Sequence, residues 1–447
     1  MERSFKLTIG TLIFLATATP ICHAKITLGA FGAISDENTV SAAFKNASAL
    51  TLAFQAANQA PLEDRDARTV VIPAGTTYHM MPISIAKLDR VTFQIDGNLI
   101  ANADVDAWPL DENGRVAGAL MRFQDCRDFV MRGGGLIDGN GFEWWVLTIT
   151  GKLKRGRPHL VVMHNMVDTL IEGLRVKNSP QFHFALSDML NLVVRDLDIK
   201  VDITAQRTLL DKHGFWIKGL PTFPLNTDGI DPSGENILIQ NVTIECFDDA
   251  VVVKPTSGNS GHGITCSQNI LVDGARVKYG VGMSIGSVPP SDTVSCARNI
   301  TFRNVVFDHP FKAIYIKTNP GDQGTGIVEH VLYENMIINH PLWWAIYIGP
   351  QQHIQPQGPI CFFYPIDPRC PTEPRITIRD VTLRNIQVRD GLLSPGIIRC
   401  DAANPCTDIH FDNVVARGGL SGLPYICENV SGTVTGSSPE PGCLTRK

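Results

Sequence analysis

Asn236-Ile-Leu-Ile-Gln-Asn-Val-Thr-Ile244, Asn269-Ile-Leu-Val-Asp-Gly-Ala-Arg-Val277, Asn299-Ile-Thr-Phe-Arg-Asn-Val-Val-Phe307 and His330-Val-Leu-Tyr-Glu-Asn-Met-Ile-Ile338 are four versions of one phrase. Each opens on a polar residue, alternates apolar positions, breaks at a polar or small residue, and alternates again. Such a two-residue period belongs to short strands with one buried face. Further copies start at Asp128, Asp168, Asn191, Arg375 and Asp408, so the phrase recurs along most of the chain. The anchors lie 23 to 45 residues apart, irregular but close to one coil of a solenoid with loop insertions. Strands this short cannot bury a face alone, whereas stacked coils bury a continuous apolar interior. The expected fold is all-β, a single-stranded right-handed parallel β-helix. A β-propeller would need tight two-residue hairpins and a regular period of ~40 residues, and neither is evident.

Outward from the repeats, an Ala-rich stretch from Ser41 to Ala60 fits an amphipathic helix, the one convincing helix in the sequence, placed to cap the open apolar end of the solenoid. The first 24 residues combine Arg3 and Lys6 with an apolar run from Leu7 to Ala18 and a Cys22-His23-Ala24 end, the layout of a secretory signal peptide. Residues 25–447 then read as one elongated domain, since no internal linker rich in Pro, Gly or Ser interrupts them. Lys and Arg number 39 against 44 Asp and Glu, a net charge of -5 with 19% charged residues, which excludes a basic nucleic-acid binder and a coiled coil. No later stretch reaches the ~18 apolar residues of a membrane span. A secreted, soluble monomer without nucleic-acid or membrane partners is therefore expected.

Leaving out Cys22, ten cysteines remain, an even number that favours disulfides in an oxidising compartment. Cys361/Cys370, Cys400/Cys406 and Cys427/Cys443 are the natural local pairs, and Cys266/Cys296 is a further candidate. No C-x-x-C stands in the chain, so no metal or other cofactor is expected. Glycosylation sequons begin at Asn46, Asn241, Asn299 and Asn429.

Carboxylates concentrate at Asn226-Thr-Asp228-Gly-Ile-Asp231 and, 20 residues after Asp228, at Asp248-Asp249. A separation near one short coil returns the chain to the same face, so Asp228 is expected one coil from the Asp248/Asp249 pair. Adjacent side chains on a strand point to opposite faces, so both members of the pair reach a cleft only where the strand bends or bulges. Crowded carboxylates raise one another's pKa, which lets one stay protonated while another stays ionised, as glycosidic hydrolysis requires. Asp and Asn are also ordinary turn residues, and an isolated Asp-Asp is more often structural. Two such elements one coil apart are more specific.

With these motifs the sequence resembles glycoside hydrolase family 28, the polygalacturonase type, whose members are right-handed β-helices that hydrolyse pectic polysaccharides. The resemblance includes Phe31-Gly-Ala33, Ile72-Pro-Ala-Gly75, Arg157-Pro158, Asn178-Ser-Pro-Gln-Phe-His183, the Asp228 and Asp248-Asp249 motifs, Val253-Lys254, Gly280-Val-Gly-Met-Ser-Ile-Gly-Ser287 and Tyr315-Ile-Lys317. It implies an inverting mechanism with Asp248 as general acid and Asp228 and Asp249 holding and activating water. It also implies substrate contacts at Asn226, Lys317, the Tyr315 position and His183, with the alternative that His183 is a hydrogen-bonded structural histidine near a turn. Two positions depart from the family pattern: Val281 replaces the usual His, and Tyr315 replaces an Arg that would clamp a uronate carboxylate. His262, in a literal Gly-His-Gly, reads as a surface-loop residue, with the alternative that the 257–265 insertion delivers it to the cleft. Trp144-Trp145 and Trp343-Trp344 offer sugar-stacking rings, with one ring of each pair assigned to packing, and Gln351-Gln352 offers hydrogen bonds to hydroxyls. The leading reading is an exported hydrolase of an acidic polysaccharide. The alternatives are a non-catalytic polysaccharide-binding homologue and, further off, a polysaccharide lyase.

Overall fold

The computed structural model describes residues 24–212, 224–256, 261–353, 361 and 364–446. Residues 1–23 of the expected signal peptide lie outside them, as do 257–260 of the insertion before His262. The strands form one sheet in which each pairing between strands is parallel, the stacking of a parallel β-helix. Register runs straight through the phrases that opened the sequence: Ile237 pairs with Ile270, then Ile300, Val331, Val381 and Ile409 in successive coils. All six are buried, and one apolar core continues from Leu28 to Val434.

The polar anchors have a backbone reason. Asp128, Asp168, Asn191, Asn236, Asn269, Asn299, His330 and Asp408 all have φ between 49° and 59°, the left-handed turn conformation that Asn and Asp tolerate best. In the coil counted from Arg375, the equivalent turn residue is Asp380 (φ 51°). Stacked turns bring these side chains together into a ladder. Asn191 donates to Asp168 (2.8 Å), Asn236 to Asn191 (3.1 Å), Asn269 to Asn236 (3.1 Å) and Asn299 to Asn269 (2.7 Å). The mid-phrase breaks form a second ladder through Asn304, Asn335, Asn385 and Asn413.

Helix α1 (Val40–Gln59) covers the end of the solenoid as expected, with the Thr39 hydroxyl accepting from the Ala42 N–H at its start. Its Phe54 packs edge-on against Phe93 and Phe123 of the first coils. Two further helices escape the sequence reading, α2 (Phe142–Ile149) and α3 (Ile203–Lys212). Both Trp144 and Trp145 of α2 are core residues at 1% exposure or less, which removes that pair from any sugar-binding role. Trp344 is buried while Trp343 is half-buried and stacks on Phe311. All four cysteine pairs named above are bridged, but Cys126 and Cys246 are free and buried, so the even count did not mean full pairing. The Asn46 sequon is spent on structure: its fully buried side chain bonds the backbone of Ile34 and His79. Among the described residues, no helix is long and apolar enough to cross a membrane.

Candidate active site

Two consecutive coils meet where the strand Ile230–Cys246 pairs with the strand Asp249–Val253, Ile230 lying opposite Val251. The Gly229 N–H donates to the Asp249 carbonyl (2.9 Å), so Asp228 and Asp249 sit directly over one another, one coil apart. Gly229 allows this approach, since a Cβ there would stand 2.4 Å from the Ala250 carbonyl oxygen. Against the next strand, Gly282–Val288, the register shifts between Asp249 and Val251. This is the irregularity that lets both Asp248 and Asp249 turn toward the outer face. One carboxylate oxygen from each of Asp228, Asp248 and Asp249 lies within 4.8 Å of the others.

The three acids differ in surroundings. Asp249 is 1% exposed and accepts from the Lys317 ammonium and the Ser284 hydroxyl. Burial would raise its pKa, but Lys317 and then Lys254 outweigh burial and hold it below the ordinary carboxylate range. Asp248 is the only one of the three with appreciable exposure, and it accepts from the backbone N–H groups of Asn226 and Asp249 (both 3.0 Å). Burial of its carboxyl and then the Asp249 charge push its pKa up. Asp228 is buried, has an oxygen without a hydrogen-bond partner, and is driven well up by burial and then by Asp231, Asp248 and Asp249.

Asn226 is positioned by Arg157, whose guanidinium donates to the Asn226 side-chain oxygen (2.9 Å) and to the Leu225 and Pro180 carbonyls. Lys317 and Tyr315 stand two apart on the strand Ile314–Thr318 and therefore share its outer face. His183 does not face the cleft. It is fully buried, its Nδ1 pairing with the Asp228 carbonyl (2.9 Å) and its Nε2 accepting from the Ser179 N–H (3.3 Å), and burial lowers its pKa to about 4. Its contact is with the Asp228 backbone rather than with substrate. His262 is exposed, its Nε2 3.4 Å from the carbonyl of the turn residue Asn165. Gln351 is buried against Thr372 and Glu373, and Gln352 meets the Ser287 hydroxyl. Val281 packs beside Tyr315, Trp344 and Tyr347, and its N–H donates to the Asp248 carbonyl (2.8 Å).

Several residues of this site carry no role in the sequence reading. Asp231 and Lys254 form an ion pair (3.3 Å) at the wall of a groove of about 400 Å³ lined also by Phe182, Ser233 and Thr256. Burial raises Asp231 to about 7 against the opposing pull of Lys254, while Lys254 is held charged by Asp231 despite its own burial. Lys312, just before the Ile314–Thr318 strand, is 9% exposed with its ammonium against two tyrosine rings. A lysine inside the apolar run Phe311-Lys312-Ala313-Ile314 is the sequence signal that marks it.

Comparison with known proteins identifies the family and the fold. A family model described as "Glycosyl hydrolases family 28" matches residues 63–438. A polygalacturonase from Juniperus ashei is 26% identical over 364 residues, 79% of this chain and 61% of the relative, so the chain spans about three fifths of that protein. An exopolygalacturonase from Cochliobolus carbonum is 26% identical over 383 residues, 81% of this chain and 78% of the relative. Among solved structures, endo-xylogalacturonan hydrolase from Aspergillus tubingensis superposes with a TM-score of 0.63 at 19% identity, covering 90% of this chain and 95% of that one. Polygalacturonase from Erwinia carotovora ssp. carotovora gives 0.60 at 21%, covering 92% and 96%.

Proposed function

The chain belongs to glycosyl hydrolases family 28, and from that premise we propose that it is an exported, inverting hydrolase of an acidic pectic polysaccharide. The observation that carries the reading is one cluster of three carboxylates in unequal surroundings, Asp249 bound by Lys317 and Ser284 while Asp248 reaches the surface. Asp248, partly exposed and raised in pKa, holds a proton for the departing glycosidic oxygen. Asp249, kept ionised by Lys317, accepts a proton from the attacking water, and its carboxylate has lone pairs left beyond those used by Lys317 and Ser284. Asp228, raised furthest, keeps its proton and orients that water as a donor. Hydrolysis then balances: water adds its oxygen to the anomeric carbon, its proton passes to Asp249, and the Asp248 proton leaves with the sugar hydroxyl. Asn226 and Lys317 border the same space. The four disulfides fit an exported protein.

The cluster is tighter than the ~6.5–9.5 Å of ordinary inverting pairs. Inversion therefore rests on the family rather than on spacing, and NMR of the anomer first released from homogalacturonan, xylogalacturonan and rhamnogalacturonan tests it. Asp248→Asn is expected to lower turnover by about 10²–10⁴-fold with binding and melting temperature retained, and undiminished turnover would remove Asp248 from the mechanism. The second reading, a binding homologue without turnover, is favoured by Val281 and Tyr315 in the wall of the site. Binding of one of these polymers without release of reducing ends would establish it.

A further inference from the structure

Lys312 sits beside the proposed catalytic acids as a cation without a counter-ion. Its Nζ lies 3.9 Å from the centre of the Tyr315 ring and 3.7 Å from that of Tyr347, neighbours in the register of successive coils. Although the residue is nine-tenths buried, no carboxylate among the described residues forms an ion pair with it, and no hydrogen-bond acceptor among them receives its three N–H donors. Two cation–π contacts replace only part of the hydration that an ammonium loses at such burial. The charged groups facing it are Lys317, which repels it, and Asp249 and Asp248. Burial first, and Lys317 second, lower its pKa to about 7. The Tyr315 ring that holds Lys312 also lies 5.0 Å from the Lys317 ammonium, so both cations border one wall of the site.

We propose that Lys312 is a specificity-determining residue whose missing counter-ion is the carboxylate of a uronic acid unit of the substrate, received at a cationic niche walled by Tyr315 and Tyr347. The phenol faces flank the ammonium and give its N–H groups no oxygen acceptor. An incoming carboxylate supplies charge and acceptors together. This inference rests on the uronide-hydrolase reading above, and its test separates the two.

Lys312→Met keeps the stem and removes the charge. With an oligogalacturonide and its methyl ester as paired substrates, the acid-to-ester ratio of kcat/KM is expected to fall about 10- to 100-fold, the worth of a hydrogen bond to a charged group. An unchanged ratio, with both substrates still cleaved, overturns the role of Lys312 and leaves the hydrolase reading standing. If the parent protein cleaves neither substrate, that reading fails, and Lys312 is judged on calorimetric binding of D-galacturonate. Loss of binding in Lys312→Met supports the proposal; equal binding, or none by the parent, overturns it. A measurement on the unsubstituted protein guards against a misfolded variant. After reductive ¹³C-methylation, which keeps lysine charge, galacturonate should raise the titration midpoint of the Lys312 methyl resonance, and an unmoved midpoint contradicts the niche.

Discussion

At the scale of the residue, the site is organised by the Lys317 ammonium. Three crowded carboxylates disfavour one another's ionisation, and the Lys317 ammonium favours that of Asp249. The sign of its loss follows. Asp249 is ionised at low pH because Lys317 holds its pKa down, so in Lys317→Met the carboxyl protonates at higher pH. The acidic limb of the kcat/KM profile should therefore move upward by about one pH unit or more, since one unit corresponds to only ~1.4 kcal/mol of lost pairing. A pH–rate profile on a single oligosaccharide reads this, and an unmoved acidic limb would show that Asp249 is not the titrating base. The carboxylates were legible in the sequence because they stand one short coil apart, a separation that a solenoid converts into contact. Lys312 stands out in the sequence only as a lysine in an apolar run, because its partners Tyr315 and Tyr347 come from the strand that follows it and from the next coil, a register that spacing alone does not supply. The two readings of His183 could not be separated in the sequence for a related reason: the motif says nothing of which side of the backbone the ring takes.

At the scale of the element, the coil turns carry two separable demands, a left-handed backbone and a side chain that bonds the turns above and below. Asn269 meets both, donating to Asn236 and accepting from Asn299 at φ 56°. Asn269→Gly keeps the backbone and loses the ladder, an expected cost of about 1 kcal/mol for two exposed hydrogen bonds. Asn269→Ala should cost a further ~1–2 kcal/mol for the Cβ in left-handed conformation. Equal denaturation midpoints for the two variants would mean that the backbone demand is absent. The same pairing of demands explains which elements could be read. A polar residue, Asn or Asp at each of these turns except that of His330, punctuates the two-residue period, so the strands announce themselves. Helix α2 does not, because Phe142-Glu-Trp-Trp-Val-Leu-Thr-Ile149 is apolar on too many sides to show a helical stripe, and both tryptophans go into the core. Helix α3 is short and polar, with the composition of an insertion loop.

At the scale of the molecule, a solenoid is held by contacts between neighbouring coils, so damage at one end stays near that end. Helix α1 is the element that closes the N-terminal end, and Phe54 is its principal wedge into the aromatic cluster of Phe93, Phe123 and Phe129. Phe54→Ala removes a fully buried ring, a change that typically costs about 3–5 kcal/mol. In a single cooperative unit that loss would lower protection everywhere. Here the proposed catalytic coils lie far along the stack, between Asp228 and Lys317, and their packing partners are the coils on either side. Native-state hydrogen exchange of Phe54→Ala should therefore show amides of the strands between Thr69 and Ala101 opening faster, while those of Ser295–Asp308 and Ile376–Gly391 keep their protection. Uniform loss of protection along the stack would mean that the coils unfold as one unit and that the cap stabilises the active site directly. The uncovered strand edges left by a loosened cap should also make this variant aggregate at concentrations where the parent stays dispersed, which light scattering detects.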